Sequence, residues 1–467
     1  MNPLEHQAQL SDFFLTRRQW LSRFGMGMGA VGLASLLGEQ ARAASTNDLN
    51  PLAPKQPHFP AKAKHVIHIF AQGAPSHIDT WDPKPMLTKY DGKSIPGGNG
   101  VAFGSPFKYT KQGKSGVEVC EVFPKLAQHI DKMAVVRSLW TDIPSHEVAT
   151  VFMNTGSLRI AKPSLGAWTL YGLGSENQNM PGFIALRPGG GPPGGANNYQ
   201  SAFLPGVFQG SSINTQAQSV EQMIENIHNN YFTQKEQRRQ LDLVHQLNAI
   251  HSQNLQKDAQ LEARIEAFEM AYKMQMAATD AFDLSKEPES VRASYGTGAQ
   301  GKQLLIARRL VERGVRFVQV WAGGWDHHND LEDRLRGKAT EIDVPAGALL
   351  TDLEQRGLLD NTLVIWGGEF GRKPTHDKGG NGNPGRDHNN RAFAHWLAGG
   401  GVKGGTTYGA TDEFGARSVE NKVHIHDYHA TLLALLGFNH EKLTYRYNGR
   451  DFRLTDNFGK VVKEIIA

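Results

Sequence analysis

The sequence predicts an α/β fold with a mainly parallel central sheet, flanked by helices and interrupted by a helical insertion. Three observations lead there. Short apolar runs rich in β-branched residues recur along the chain, clearest in "HVIHIF" (65–70), "VRFVQVW" (315–321) and "TLVIW" (362–366). Helix-forming stretches punctuated by Gly or Pro alternate with them, and that alternation belongs to parallel sheets covered by helices. Oxygen and nitrogen donors gather just beyond the apolar runs, at the carboxyl ends of strands where such sheets bind ligands.

Taken in order, residues 1–44 read as a twin-arginine export signal. Arg17 and Arg18 precede a mildly apolar, Gly-rich stretch from Phe24 to Leu37, and the small-residue "ARA" follows at Ala41 to Ala43. The apolar stretch has about 14 residues where a bilayer needs roughly 20, so no stable membrane span is expected in the mature chain. The expected destination is the periplasm or the exterior. Residues 45–64, with Pro51, Pro54, Pro57 and Pro60, read as a linker to a folded domain over 65–467.

Composition narrows the chemistry. The 50 basic and 46 acidic side chains leave a formal charge of +4, and no dense Lys/Arg run is interleaved with aromatics. Nucleic acid is therefore not an expected partner. Cys120 is the only cysteine, which rules out an intrachain disulfide and any Cys-based metal site. A metal would be held by His, Asp and Glu.

The first strand, 65–70, runs into the Gly- and Pro-containing loop "AQGAPSHIDTWDPKP". A second short strand is expected at Ala134 to Val136, followed by "RSLWTDIPSHEVATVFMNTG", whose latter half has helical spacing. "LRPGGGPPGG" (186–195) is too rich in Gly and Pro for regular structure and reads as an ordered surface loop near a mouth. Between about 219 and 286 Gly disappears, and Leu261, Ile265, Phe268 and Tyr272 mark one face of a helix. This stretch is the helical insertion. Beyond it come a helix stopped at Gly314, the strand 315–321, a helix opened by Pro345, the strand 362–366 and a last strand in "AFAHWLAGG".

Each strand can be asked what it leaves at its end. The first leaves Gln72, Ser76, His77 and Asp79, and the second leaves Asp142, Ser145, His146 and Glu147. Asp326, His327 and His328 follow 315–321, and Glu369 and Arg372 follow 362–366. Arg386, Asp387 and His388 stand just before "AFAHWL". Five strands thus supply donors to one expected rim. Imidazole and carboxylate at about 2.0–2.2 Å suit zinc or a similar ion, while Arg372 and Arg386 could grip an anion through paired N–H bonds. Since side chains alternate along an extended chain, His327 and His328 are not expected to face one ion together. Plain structural roles compete: Asp142 and Asp427 as helix caps, Asp326 in a turn, His395 packed in the core, and His424, His426 and His429 at a helix start.

"GAPSHIDTWDPKP", "HEVATVFMNTG", "GGWDHHND", "GGEFGR", "GRDHN", "LAGGGVKGG" and "YRYNGRDFRL" together resemble the family named domain of unknown function 1501. That family is grouped with the alkaline phosphatase and sulfatase superfamily. The resemblance implies that Asp326 and His388 are metal ligands, joined by one of His327 and His328. Glu369 and Phe370 stand where the superfamily has a ligating Asp and His, so only the carboxylate is kept. His146 occupies the place of the nucleophilic Ser or Thr, with Ser145 before it, and Gln72 or Gly73 replaces an Asp after the first strand. His146 is then base, nucleophile or further ligand, with Ser145 and Ser76 as other nucleophiles.

The implied activity is an exported, metal-dependent hydrolysis of phosphate or sulfate esters. Zinc is the expected ion, with calcium, magnesium and manganese as alternatives. The expected substrate is an anionic ester, such as a sulfated or phosphorylated glycan, contacted by Ser76, His77, Asp79 and Asp387. The competing expectations are a non-catalytic periplasmic binding or assembly protein recognising a polyanionic glycan or protein partner, and a purely structural metal site.

Overall fold

The computed structural model describes residues 50–467 except 97, 99, 159–160, 218, 225–230, 255–271, 274–277 and 378–382. The export signal expected over 1–44 lies outside the described residues, as do Leu261, Ile265 and Phe268 of the insertion. No helix among the described residues is long and apolar enough to cross a membrane.

Among the described residues nine strands form the main sheet: β1 (His65–Phe70), β2 (Met133–Trp140), β3 (Phe183–Arg187), β4 (Ser211–Asn214), β5 (Phe317–Trp321), β6 (Thr362–Gly367), β7 (Phe393–Ala398), β8 (Thr406–Tyr408) and β9 (Val423–His424). Their order is β8-β2-β7-β6-β1-β5-β3-β4, and β9 also pairs with β2. Every pairing is parallel except those of β7, which runs antiparallel to both β2 and β6. The principal helices are α1 (His146–Thr155), α2 (Leu165–Leu173), α3 (Gln234–Asn254), α4 (Ala299–Glu312), α5 (Leu331–Gln355) and α6 (Ile425–Leu435). The fold is the expected α/β class, with helices on both faces.

β1, β5 and β6 are buried along their whole length, which is why they read as near-continuous apolar runs. Alternate residues feed opposite cores. Ile67, Ile69, Val318, Val320, Val364 and Trp366 share a cluster with Leu304 of α4 and Leu335 of α5. Val66, Phe70, Phe317, Trp321, Leu363 and Ile365 join Phe152 of α1, Leu170 of α2 and Leu432 of α6. Each large side chain buried this way contributes roughly 1.5–3 kcal/mol before the entropy of ordering is subtracted.

Two elements differ from expectation. The second strand is longer than Ala134 to Val136, since pairing with β7, β8 and β9 extends it over Met133–Trp140. The helix expected to open at Pro345 is already nearly four turns under way there, because α5 starts at Leu331 and carries Pro345 in its interior. Leu331, Leu335, Ala339 and Ile342 before the proline, and Ala346, Leu349 and Leu353 after it, form one buried stripe. Burial of that stripe outweighs the roughly 3 kcal/mol that an interior proline costs a helix.

The direction of β7 matters for the site. Its amino end lies at the same edge as the carboxyl ends of β1, β2, β5 and β6, so residues that precede β7 meet residues that follow the others. The Gly- and Pro-rich loop after β3 also sits at this edge, packed so closely on α1 that a side chain at Gly194 would collide with Val151.

Candidate metal centre

Five chain segments converge at that edge. Gly73, at φ +105°, lets the turn after β1 lie against the turn after β5, where a Cβ would come within 2.7 Å of the Asp326 backbone nitrogen. α1 brings in His146 as its first residue, with Ser145 as an extended N-cap whose side chain makes no cap hydrogen bond. The turn after β6 supplies Glu369, and the short strand His388–Asn389 pairs with Gly371–Arg372. His395 anchors the β6 turn from below. Its ring lies over Gly367, in the space a Cβ would occupy, and Nε2 donates to the Gly368 carbonyl at 2.8 Å.

Three imidazoles turn their Nε2 atoms toward one carboxylate oxygen, Asp326 Oδ1. The distances are 3.3 Å from His146, 3.0 Å from His328 and 3.3 Å from His388. Each Nδ1 is held from behind: His146 by Glu369 at 2.5 Å, His328 by Asp377 at 2.5 Å, and His388 by the Pro144 carbonyl at 2.9 Å. Protons on Nδ1 leave the Nε2 lone pairs facing the centre, the arrangement that orients metal-bound histidines. Two observations favour a cation. His146 Nε2 is buried and, among the described residues, makes no well-aligned hydrogen bond, with Asp326 Oδ1 3.3 Å away. His328 and His388 bring their Nε2 atoms within 3.0 Å of each other, which two bare lone pairs resist unless a proton or cation lies between them.

The spacing fits as well. Donors about 2.0–2.1 Å from a tetrahedral ion lie about 3.3 Å apart. The ligand atoms of His146, Asp326 and His388 all lie within 4.8 Å of one another, and those of His328, Asp387 and His388 form a second, overlapping set. The residues therefore fit the ion that the family resemblance implies. Without an ion, burial disfavours the charged form of His146, but hydrogen bonds and charge from Asp326 and Glu369 outweigh it and raise the pKa to about 9. Burial likewise opposes ionisation of Asp326, yet His146, His388 and Arg372 hold its carboxyl far below the usual range.

Several side chains expected at the rim are elsewhere. Glu369 is fully buried, accepts the Gly73 N–H at 3.0 Å, and stands behind His146 rather than beside it as a ligand. His327 points away from the centre, as alternation requires, and pairs with the Gly324 carbonyl at 3.0 Å. Asp79 and Arg386 form a fully buried two-pronged pair at 2.6 and 3.0 Å, with Ser76 bonded to the same carboxylate. His77 is buried against the Gly415 carbonyl at 2.9 Å. None of Ser76, His77, Asp79 and Arg386 faces solvent, so the structure gives them support of the rim rather than contact with a substrate. Arg372 is also buried, bound to Asp326. Ser145 is exposed beside His146, and Asp387 is half-exposed in a 2.6 Å pair with Lys373.

The competing structural roles resolve individually. Asp142 pairs with His424 at 2.8 Å and caps nothing, while Asp427 completes a capping box at the third position of α6. His395 and His429 are core residues bonded to backbone carbonyls. Phe370 forms a wall, its ring 4.9 Å from His146 and 4.7 Å from His388. Asp377, which fixes His328, was missed by sequence reasoning because it lies in the loop between Arg372 and His388, away from the ends of the main-sheet strands, and carries no local signal.

These features define a class: an α/β protein whose sheet edge gathers His and Asp donors able to hold a metal ion. The chain belongs to the family described as protein of unknown function (DUF1501), which matches residues 63–466. No curated protein matches it. Solved structures similar to it include the sulfatase PsFucS1 from Pseudoalteromonas sp., at 12% identity and TM-score 0.33, covering 88% of this chain and 72% of that one. The alkaline phosphatase from the Antarctic bacterium TAB5 is 13% identical at TM-score 0.31, covering 76% and 95%. The lipoteichoic acid synthase LtaP from Listeria monocytogenes is 10% identical at TM-score 0.34, covering 87% and 79%. These likenesses concern the fold alone.

Proposed function

We propose that the chain is an exported, metal-dependent hydrolase of phosphate or sulfate esters, acting in the periplasm or outside the cell on an ester such as a modified glycan. The observation that carries this reading is the convergence of His146, His328 and His388 on Asp326 at the carboxyl edge of the sheet. Their imidazole-rich character favours zinc over calcium, magnesium or manganese, which prefer oxygen ligands. When bound, such an ion polarises a phosphoryl or sulfuryl oxygen and lowers the pKa of water to about 7.

The chain's own groups do the rest. Glu369, Asp377 and the Pro144 carbonyl fix the three imidazole tautomers. Ser145 presents an exposed hydroxyl at the amino end of α1, where the helix dipole favours the negative charge an activated oxygen carries. His328, held by Asp377 with its Nε2 turned to the centre, would be a further imidazole ligand to the ion. The test is to purify the full chain, measure bound metal, and assay aryl phosphates and sulfates for the parent and for His146→Ala and His388→Ala. A metal-free parent, or ester turnover untouched by both substitutions, would rule the reading out.

A further inference from the structure

We propose that the ester accepted at this centre carries a single negative charge on its reacting group, as a sulfate monoester or a phosphodiester does, and that phosphate monoester dianions are disfavoured. The inference rests on the hydrolase reading above. It starts from the two guanidinium groups.

All five N–H groups of Arg372 are directed at protein atoms. Nε meets the Ala74 carbonyl at 2.9 Å, Nη1 meets the Arg386 carbonyl at 3.1 Å and His328 Nε2 at 3.4 Å, and Nη2 meets Gly73 O and Asp326 Oδ1 at 2.5 Å each. Arg386 is spent on Asp79, and its guanidinium stacks 4.5 Å from the Phe103 ring. Neither offers a free fork to the paired oxygens of a dianion, the contact by which arginine ordinarily recognises phosphate.

The charge count agrees. A divalent ion and Arg372 bring three positive charges, against two negative ones from Asp326 and Glu369. Lys373 and Asp387 cancel in their 2.6 Å pair. Asp377 lies behind His328 and adds no positive charge. Among the described residues the centre therefore has at most one net positive charge. A monoanion brings it to neutrality. A dianion leaves an uncompensated negative charge in partly buried surroundings, where unlike and like charges interact several-fold more strongly than in water.

Benzenesulfonate and phenylphosphonate share a shape and differ in charge above neutral pH, so their equilibrium binding to the metal-loaded full chain tests the idea directly. The sulfonate should bind about tenfold tighter or more. Asp377→Asn, which removes one negative charge beside His328, should narrow that gap. Turnover of an aryl sulfate, a bis-aryl phosphate and an aryl phosphate then distinguishes the source: fastest cleavage of the first marks a sulfate ester, and of the second a phosphodiester. Tighter phosphonate binding, binding of neither anion, or fastest cleavage of the aryl phosphate overturns the proposal. Sulfonate selectivity with no turnover of any ester upholds the charge preference and defeats the hydrolase reading instead.

Discussion

Lowering the pH from about 7 to about 5 should destabilise this protein through buried histidines that are not ligands of the candidate centre. His68, His395 and His429 lie on the same face of the sheet and are buried. Burial, with His395 and His429 nearby, lowers the pKa of His68 to about 3. Burial lowers His395 and His429 to about 4, against the opposing pull of the carbonyls of Gly368 and Met153. All three are neutral in the fold and take up protons near pH 6.5 once unfolded. Because the unfolded chain binds more protons between these values, stability falls as pH falls below 6.5 and the loss levels off near the folded pKa values. Each group then loses about 2 kcal/mol by pH 5, or about 6 kcal/mol together, a large share of a typical 5–15 kcal/mol. Urea unfolding followed at pH values across that window reads the loss directly. His68 tests the cause, since among the described residues neither of its nitrogens has a hydrogen-bond partner and its ring packs against Phe70 and Phe317. His68→Phe should remove about a third of the slope and leave the fold no less stable at neutral pH. An unfolding midpoint that does not move between pH 7 and pH 5 would refute the reasoning.

Three further outcomes follow from particular contacts. Glu369→Gln should weaken binding of cobalt or zinc about 10–100-fold, because it loosens the imidazole of His146 without removing a ligand, and a chelator-competition titration measures it. Gly367→Ala places a methyl group inside the His395 ring, which cannot swing away while it is bonded to Gly368 and packed on Tyr428; a loss of about 1–3 kcal/mol in chemical unfolding is expected. Cys120 is buried, and burial pushes its thiol up to about 12, so a thiol reagent should label it only after denaturation.

The strands were legible because burial on both faces leaves an unmistakable run of apolar residues, as in Val66 to Phe70. Pro345 misled because a local rule about helix starts competes with a buried stripe that only the packed neighbours reveal. The arginines misled for a different reason. Charge and hydrogen-bond geometry tell what Arg386 can bind, but its partner Asp79 lies 307 residues away, and nothing local distinguishes an arginine that awaits an anion from one already paired. The choice between His327 and His328 needed only the alternation of side chains, yet which of the two faces inward depended on Asp377, a residue with no local signal.

The donors at the centre and their shared rim were both expected from the sequence, while what carries His388 to that rim, the direction of one strand, was not. Residues after a parallel strand share an edge by construction, so Asp326, Glu369 and His146 were bound to be neighbours once β5, β6 and β2 were parallel. His388 precedes its strand. Had β7 run parallel, the turn bearing His388 would have opened at the opposite edge, the length of a strand away from Asp326. Antiparallel pairing on both sides, Trp396 against Trp366 and against Val135, brings it back. A strand reversed between parallel neighbours thus supplies the imidazole that the neighbouring turns lack, and His388→Ala should weaken metal binding while leaving the β7 pairing, and with it the fold, intact.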